Sequence, residues 1–178
     1  RFMLEVDYGR REVLFEYAQD LSIHIVQSLS EMGEESSKYA VVLFGSVATG
    51  LVKQPRNPFP SNIDLAVIGQ FSQEKRMDLY DRIRIRRQDI QEAILSGISS
   101  ISPDKKNPGN AGVFIQDSSK LTSNGYQCAL EYIAGNAFAL HDSGTTWATI
   151  EQQALHHYSE QQRLKRRKNV VLFEAITS

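Results

Sequence analysis

The chain reads as an α+β protein, a small mixed β-sheet flanked by helices. Three observations predict it. Val41-Val42-Leu43-Phe44 is an apolar run that halts at Gly45-Ser46. A second apolar run, Ile63 to Ile68, follows a proline-bearing stretch, and long segments of helical periodicity lie before the first run and after the second. Short buried strands alternating with long amphipathic helices bury their apolar faces by layering, sheet against helices. At 178 residues the chain is near the ordinary size of one domain. One is expected over 1–178, with a core at about 10–142 and a helical tail at about 145–178.

Each element has its own signal. Leu14, Tyr17, Leu21, Ile25, Leu29 and Met32 recur at intervals of three or four and stop at Gly33, which predicts an amphipathic helix over about 10–32. Tyr39 to Phe44 predicts a buried strand, Ser46 to Gly50 a short helical turn, and Lys53 to Ser61 a loop set by Pro55, Pro58 and Pro60. Ile63 to Ile68 is the next strand. Leu79, Ile83, Ile90 and Ile94 place a helix from about Gln73 to Leu95, with Arg82, Arg86, Arg87, Gln88 and Gln91 as its solvated or partner-facing side. The alternation Arg82-Ile83-Arg84-Ile85 mimics a strand, but the wider window favours helix.

Residues 97–110, rich in Ser, Gly, Pro, Asn and Lys, predict a flexible connection to a third strand near Gly112 to Gln116. A helix is expected from Tyr126 to Ile133, then a short apolar segment Ala137 to Leu140. The last helix starts near Thr145 or Thr146 and runs to about Lys168, with its continuation through Val170 to Ile176 left open. There is no internal repeat.

Composition narrows the function classes. A formal net charge of −1, with 41% hydrophobic and 23% charged residues, argues against whole-surface attraction to duplex DNA. One cysteine, Cys128, excludes an internal disulfide framework and a Cys-based zinc site. It is expected to be buried and inert. His24, His141, His156 and His157 show no ligand spacing with Cys, Asp or Glu. No apolar run approaches the roughly 18 residues needed to span a bilayer, and Arg1-Phe2-Met3-Leu4-Glu5 lacks a signal-peptide pattern. The expected setting is cytoplasmic, without a membrane partner. A start at Arg1 is compatible with a fragment of a longer protein.

The chemistry concentrates between Val41 and Gly69. A strand that ends in Gly45-Ser46 and opens a helix offers free backbone N–H groups and a hydroxyl to phosphate oxygens. Asn62 and Asp64 are two apart, so on a strand they share one face while Ile63 and Leu65 point into the core. A carboxylate beside a phosphate cradle is where metal ions would be held.

These residues resemble the signature of the nucleotidyltransferase superfamily, apolar-Gly-Ser followed after a spacer by Asp-apolar-Asp-apolar, as in the DNA polymerase β group and the aminoglycoside nucleotidyltransferases. The matching residues are Leu43-Phe44-Gly45-Ser46, Gly50 and Ser61-Asn62-Ile63-Asp64-Leu65-Ala66-Val67. The resemblance implies a triphosphate held by Gly45 and Ser46, with ATP or another NTP as donor. It also implies two Mg²⁺ ions on the motif's acids and on a third carboxylate from a later strand. Asp64 matches the second acid. Asn62 stands where the first is expected, by natural change or by engineering, and offers a neutral oxygen to a hard cation. Asp117 is the only acid on the third strand, although the matching position lies nearer Gly112 to Phe114. It is either a metal ligand or the cap of the turn before Ser118-Ser119.

More weakly, Ala129 to Ile133, Asn136 to Asp142, Gln153-Ala154-Leu155 and Tyr158 resemble the tail of the minimal nucleotidyltransferases, some of which are antitoxins that adenylylate a partner toxin. The spacer between Ser46 and Asn62 is longer than usual there, and Lys53, Gln54, Arg56 and Asn57 are read as a lid or a partner surface. The run Arg163 to Lys168 reads as a solvated helix end or a contact for phosphate or an acidic partner.

Two functions follow from the resemblance. One is Mg²⁺-dependent transfer of a nucleoside monophosphate, AMP from ATP, to a hydroxyl of a protein or small-molecule acceptor. The other is a catalytically degenerate fold that senses nucleotide or docks a partner. The short tail leans toward a macromolecular partner, such as a toxin-like protein, and toward self-association into a homo-oligomer.

Overall fold

The computed structural model describes residues 8–50, 52, 62–96 and 111–177, and side chains over 9–50, 52, 62–94 and 111–165. The expected loop and lid at 53–61 and the connection at 97–110 lie outside the described residues.

Helix α1 (Tyr8–Glu31) leads through a short 3-10 turn (Ser36–Lys38) to β1 (Ala40–Phe44), which passes directly into the five-residue α2 (Gly45–Thr49). Then come β2 (Ile63–Gly69), α3 (Gln73–Ser96), β3 (Ala111–Asp117), α4 (Ser118–Thr122), α5 (Gln127–Ala134), β4 (Phe138–His141) and α6 (Thr146–Thr177). The four strands form one mixed sheet in the order β3-β2-β1-β4. β1 pairs antiparallel with β2 and β4, and β2 pairs parallel with β3. This is the α+β architecture, a mixed sheet flanked by helices, that the sequence predicts.

Strand periodicity divides the core into two layers. Val41, Leu43, Ile63, Leu65, Val67, Val113 and Ile115 face α1 and α3, where Leu14, Leu21, Ile25, Leu29, Leu79, Ile83 and Ile90 are buried. The alternate set, Val42, Ala66 and Ile68, faces Leu121, Ala129, Trp147, Ile150 and Ala154 of the later helices. β1 and β2 are covered on both sides, and so their sequence is a continuous apolar run rather than an alternation. Ile83 is buried while Ile85 is exposed, which settles the Arg-Ile alternation as helix.

The arginines of α3 are not simply solvated. Arg82 pairs with Asp78 and, across the helices, with Glu31; Arg86 pairs with Asp20 of α1. On the edge strand β3, Arg87 Nε donates to the Ala111 carbonyl at 2.6 Å and the Ile115 N–H donates to the Tyr80 hydroxyl at 3.3 Å. These contacts occupy backbone groups that an edge would otherwise offer to another chain.

Further differences follow from local chemistry. Ser118 to Thr122 is a helical turn, because Asp117 accepts the Ser119 N–H and caps it. The expected apolar segment after α5 is a strand shifted by one residue, and α6 runs on through Val170 to Thr177. Asp142 starts α6 by accepting the N–H groups of Trp147 and Ala148 at 3.1 and 2.9 Å. Among the described residues no helix is long and apolar enough to cross a membrane.

Candidate functional site

The site forms where β1 ends and β2 begins, on the sheet face turned toward α5. Phe44 is the last residue of β1 and pairs with Asp64; on the other side Asp64 pairs with Gly112 of β3. The Asp64 side chain therefore stands over the sheet between β1 and β3. Two glycines make room for it. A Cβ on Gly45 would lie 2.6 Å from Asp64 Oδ2, and one on Gly112 would lie 3.5 Å from Oδ1. Gly45 also has φ +75°, which an L side chain rarely adopts. The turn from β1 into α2 and the seat of the carboxylate thus require the same glycine.

Half-buried, the Asp64 carboxyl is pushed up to about 6 by desolvation. Its protonated and ionised forms are both accessible near neutral pH. Of the two residues expected to hold phosphate, Gly45 adjoins Asp64, and Ser46 follows it in α2. Asn62 is half-buried just ahead of β2, two residues before Asp64.

Asp117 does not join them. The parallel register sets it beside Gly69 while Gly112 lies beside Asp64. Five residues at about 3.3 Å each put it roughly 17 Å from the acid. Its carboxylate accepts the Ser119 N–H and hydroxyl at 2.9 and 2.8 Å and lies 3.8 Å from Arg76 Nη2. The bonds from Ser119 hold its carboxyl below the usual range. Asp117 caps α4, one of the two roles that the sequence left open for it.

Beside Asp64 a cleft of about 390 Å³ opens, lined by Phe44, Phe114, Gln116, Cys128, Glu131 and Tyr132. Phe44 meets Tyr132 edge-on with centroids 4.8 Å apart and Phe114 at 5.8 Å. Behind Tyr132 lies Trp147, at 6.1 Å. Burial pushes the Tyr132 hydroxyl up to about 12, against a hydrogen bond from Gln116 that works the other way. The cleft went unread in the sequence. Its signal was the alternation Gly112, Phe114, Gln116 against the buried Ala111, Val113 and Ile115. Cys128 is half-buried rather than buried, and desolvation raises its thiol.

A two-metal centre does not fit these residues. One carboxylate, a neutral amide at Asn62 and a glycine at the β3 position supply too little anionic oxygen for two hard cations. Among the described residues no group of three or more His, Cys, Asp or Glu could hold a metal ion.

No family model matches the chain, and no curated protein matches it. Among solved structures it is similar to a toxin-antitoxin crystal structure with AMP-PNP, at 16% identity and TM-score 0.35 over 86% of this chain and 96% of that one. It is likewise similar to a mutant of the toxin-antitoxin MntA-HpeT, at 16% identity and TM-score 0.33 over 85% and 95% of the two chains. Similarity at this level assigns neither family nor activity.

Proposed function

We propose that the chain is a nucleotide-binding module of nucleotidyltransferase type whose transfer chemistry is disabled, and that it works as a nucleotide sensor or protein-docking component. The observation that carries this reading is the pairing of Asp64 with Gly112. Where the superfamily resemblance calls for an acid on the neighbouring strand, the chain has no side chain at all. With Asn62 two residues before Asp64, one acid remains of an expected three. The retained part is the phosphate side: the left-handed Gly45, against the Asp64 carboxylate, opens α2 and Ser46 follows it. The half-buried aromatic cleft beside it supports binding of something larger than phosphate. Exposed Leu155, Tyr158 and Leu164 on α6 support docking to a protein.

The active-enzyme reading rests on the preserved seat of Asp64 between two glycines. It assigns the chain transfer of AMP from ATP to a hydroxyl of a protein or small-molecule acceptor. One experiment separates the two. ATP binding is measured by calorimetry, and label transfer from α-labelled ATP with Mg²⁺ or Mn²⁺ is followed in a lysate of the source organism. The chain is compared with Asn62→Asp and Asp64→Ala. Binding without transfer by the unaltered chain is expected. Transfer that Asp64→Ala abolishes would overturn the disabled reading, and absence of any nucleotide binding would overturn both.

A further inference from the structure

We infer that the cleft between β1, β3 and α5 is a nucleobase subsite, taking a base with an exocyclic amino group on the face of Phe114 while the phosphates lie toward Gly45 and Ser46. This deepens the nucleotide-binding reading and rests on it. The first ground is shape and chemistry. About 390 Å³ lies within the range of small-ligand pockets, about 300 to 1,000 Å³, and half of the lining residues, Phe44, Phe114 and Tyr132, are aromatic. Phe114 is 45% exposed although it lies in mid-strand, so much of its ring is open to solvent. Flat aromatic surface presented inside a concavity suits a stacked heterocycle, because every base has a π face.

The second ground is continuity with Asp64. A Cβ on Gly112 would stand 3.1 Å from Phe114 Cε2 and 3.5 Å from Asp64 Oδ1, so ring and carboxylate lie together over that glycine. A base on Phe114 therefore continues directly into the region of Gly45. Charge sets the direction. Glu131, the acid in the cleft lining, disfavours phosphate there, and its carboxylate can accept from an amino group. Adenine, guanine and cytosine carry such a group and uracil does not.

The cleft has a built-in reporter. Trp147 is the chain's sole tryptophan, 2% exposed, and its ring packs on Tyr132 in the cleft wall. Its fluorescence would be titrated with ATP, UTP, adenosine and inorganic triphosphate. The same titrations would be run on Phe114→Ala, Phe114→Leu, which keeps bulk but lacks a π face, and Phe114→Trp, with calorimetry for the last because it adds a fluorophore.

ATP affinity is expected to fall about tenfold or more in the Ala and Leu variants and to be kept by Trp. Triphosphate affinity should be unchanged, and ATP should bind more tightly than UTP. Adenosine binding with no measurable triphosphate binding would support the base subsite while removing the phosphate half of the functional reading. Equal affinity for ATP, UTP and triphosphate, or ATP affinity unaffected by Phe114→Ala and Phe114→Leu, would overturn the subsite and leave nucleotide binding standing. Failure of all four ligands to bind would overturn both.

Discussion

Replacing Gly45 by alanine separates two demands that meet at one backbone position. Gly33, which closes α1, has φ +79° and nothing within 4 Å of where its Cβ would stand, so Gly33→Ala reports the backbone cost alone. That cost is about 1 kcal/mol, from 1–2 for a left-handed L residue less the gain from a stiffer unfolded chain. Gly45 has nearly the same φ, +75°, but its Cβ would lie 2.6 Å from Asp64 Oδ2.

Reaching ordinary contact requires a shift of about 0.8 Å, and forcing such a shift in a packed site costs roughly 1–3 kcal/mol. Gly45→Ala should therefore lose about 2–4 kcal/mol, read as a lower urea midpoint at constant slope. Asp64→Ala removes the obstructing oxygen. In a double-mutant cycle the pair should be less destabilised than the sum by roughly 1–3 kcal/mol. A Gly45→Ala cost equal to that of Gly33→Ala, or a coupling below about 0.5 kcal/mol, would refute the argument that the turn and the carboxylate seat share this glycine.

Asp64 also makes stability depend on pH. Its folded carboxyl lies near 6 against an ordinary 3.8, so the folded state holds the proton more tightly. Stability should fall as pH rises from about 4 through 6, and Asp64→Asn should remove that fall. After discounting for partial solvent exposure, the variant should gain about 2 kcal/mol at pH 7.5 and little at pH 3.5, by urea unfolding at both values. Asp142→Ala leaves the N–H groups of Trp147 and Ala148 without their acceptor. It should cost about 1–2 kcal/mol in thermal or urea unfolding. Asp117→Ala should lose about 1 kcal/mol through its cap and leave ATP affinity unchanged; a tenfold fall in affinity would return Asp117 to the site.

Local periodicity made most of the fold legible. The spacing of Leu14, Leu21, Ile25 and Leu29 reflects a single buried helix face, and the runs at 41–44 and 63–68 are apolar because helices cover both faces of those strands. Gly45 and Asp64, read together in the sequence, meet in the structure because the end of β1 pairs with the start of β2. What the sequence hid depends on register and long-range contact. How far Asp117 lies from Asp64 is set by the register that pairs Asp64 with Gly112. Arg82 and Arg86 carry no sign of Glu31 and Asp20, their partners across a helix pair. The aromatic cleft joins residues from β1, β3 and α5, and nothing local marks Phe44, Phe114 and Tyr132 as neighbours.

Having Asp64 as its lone acid there also bears on what this part of the fold needs in order to stand. Acids converging on one sheet face repel, and each added carboxylate raises the cost of ionising the others unless a cation joins them. Here a single half-buried acid adjoins Gly45 of α2 and Gly112 of β3, with an amide two residues away, and desolvation alone moves its carboxyl to about 6. As pH falls toward 6 Asp64 takes up its proton and this part of the sheet loses that charge. A second carboxylate beside it should act the other way. Asn62→Asp should lower the unfolding midpoint at pH 7.5 by about 1 kcal/mol equivalent, in line with like-charge repulsion between partly solvated groups. Millimolar Mg²⁺ should recover stability in that variant while leaving the unaltered chain where it was. An unaltered chain that Mg²⁺ stabilises as much as the variant would mean that Asp64 and Asn62 already bind the ion, and that the transfer chemistry is not disabled at this point.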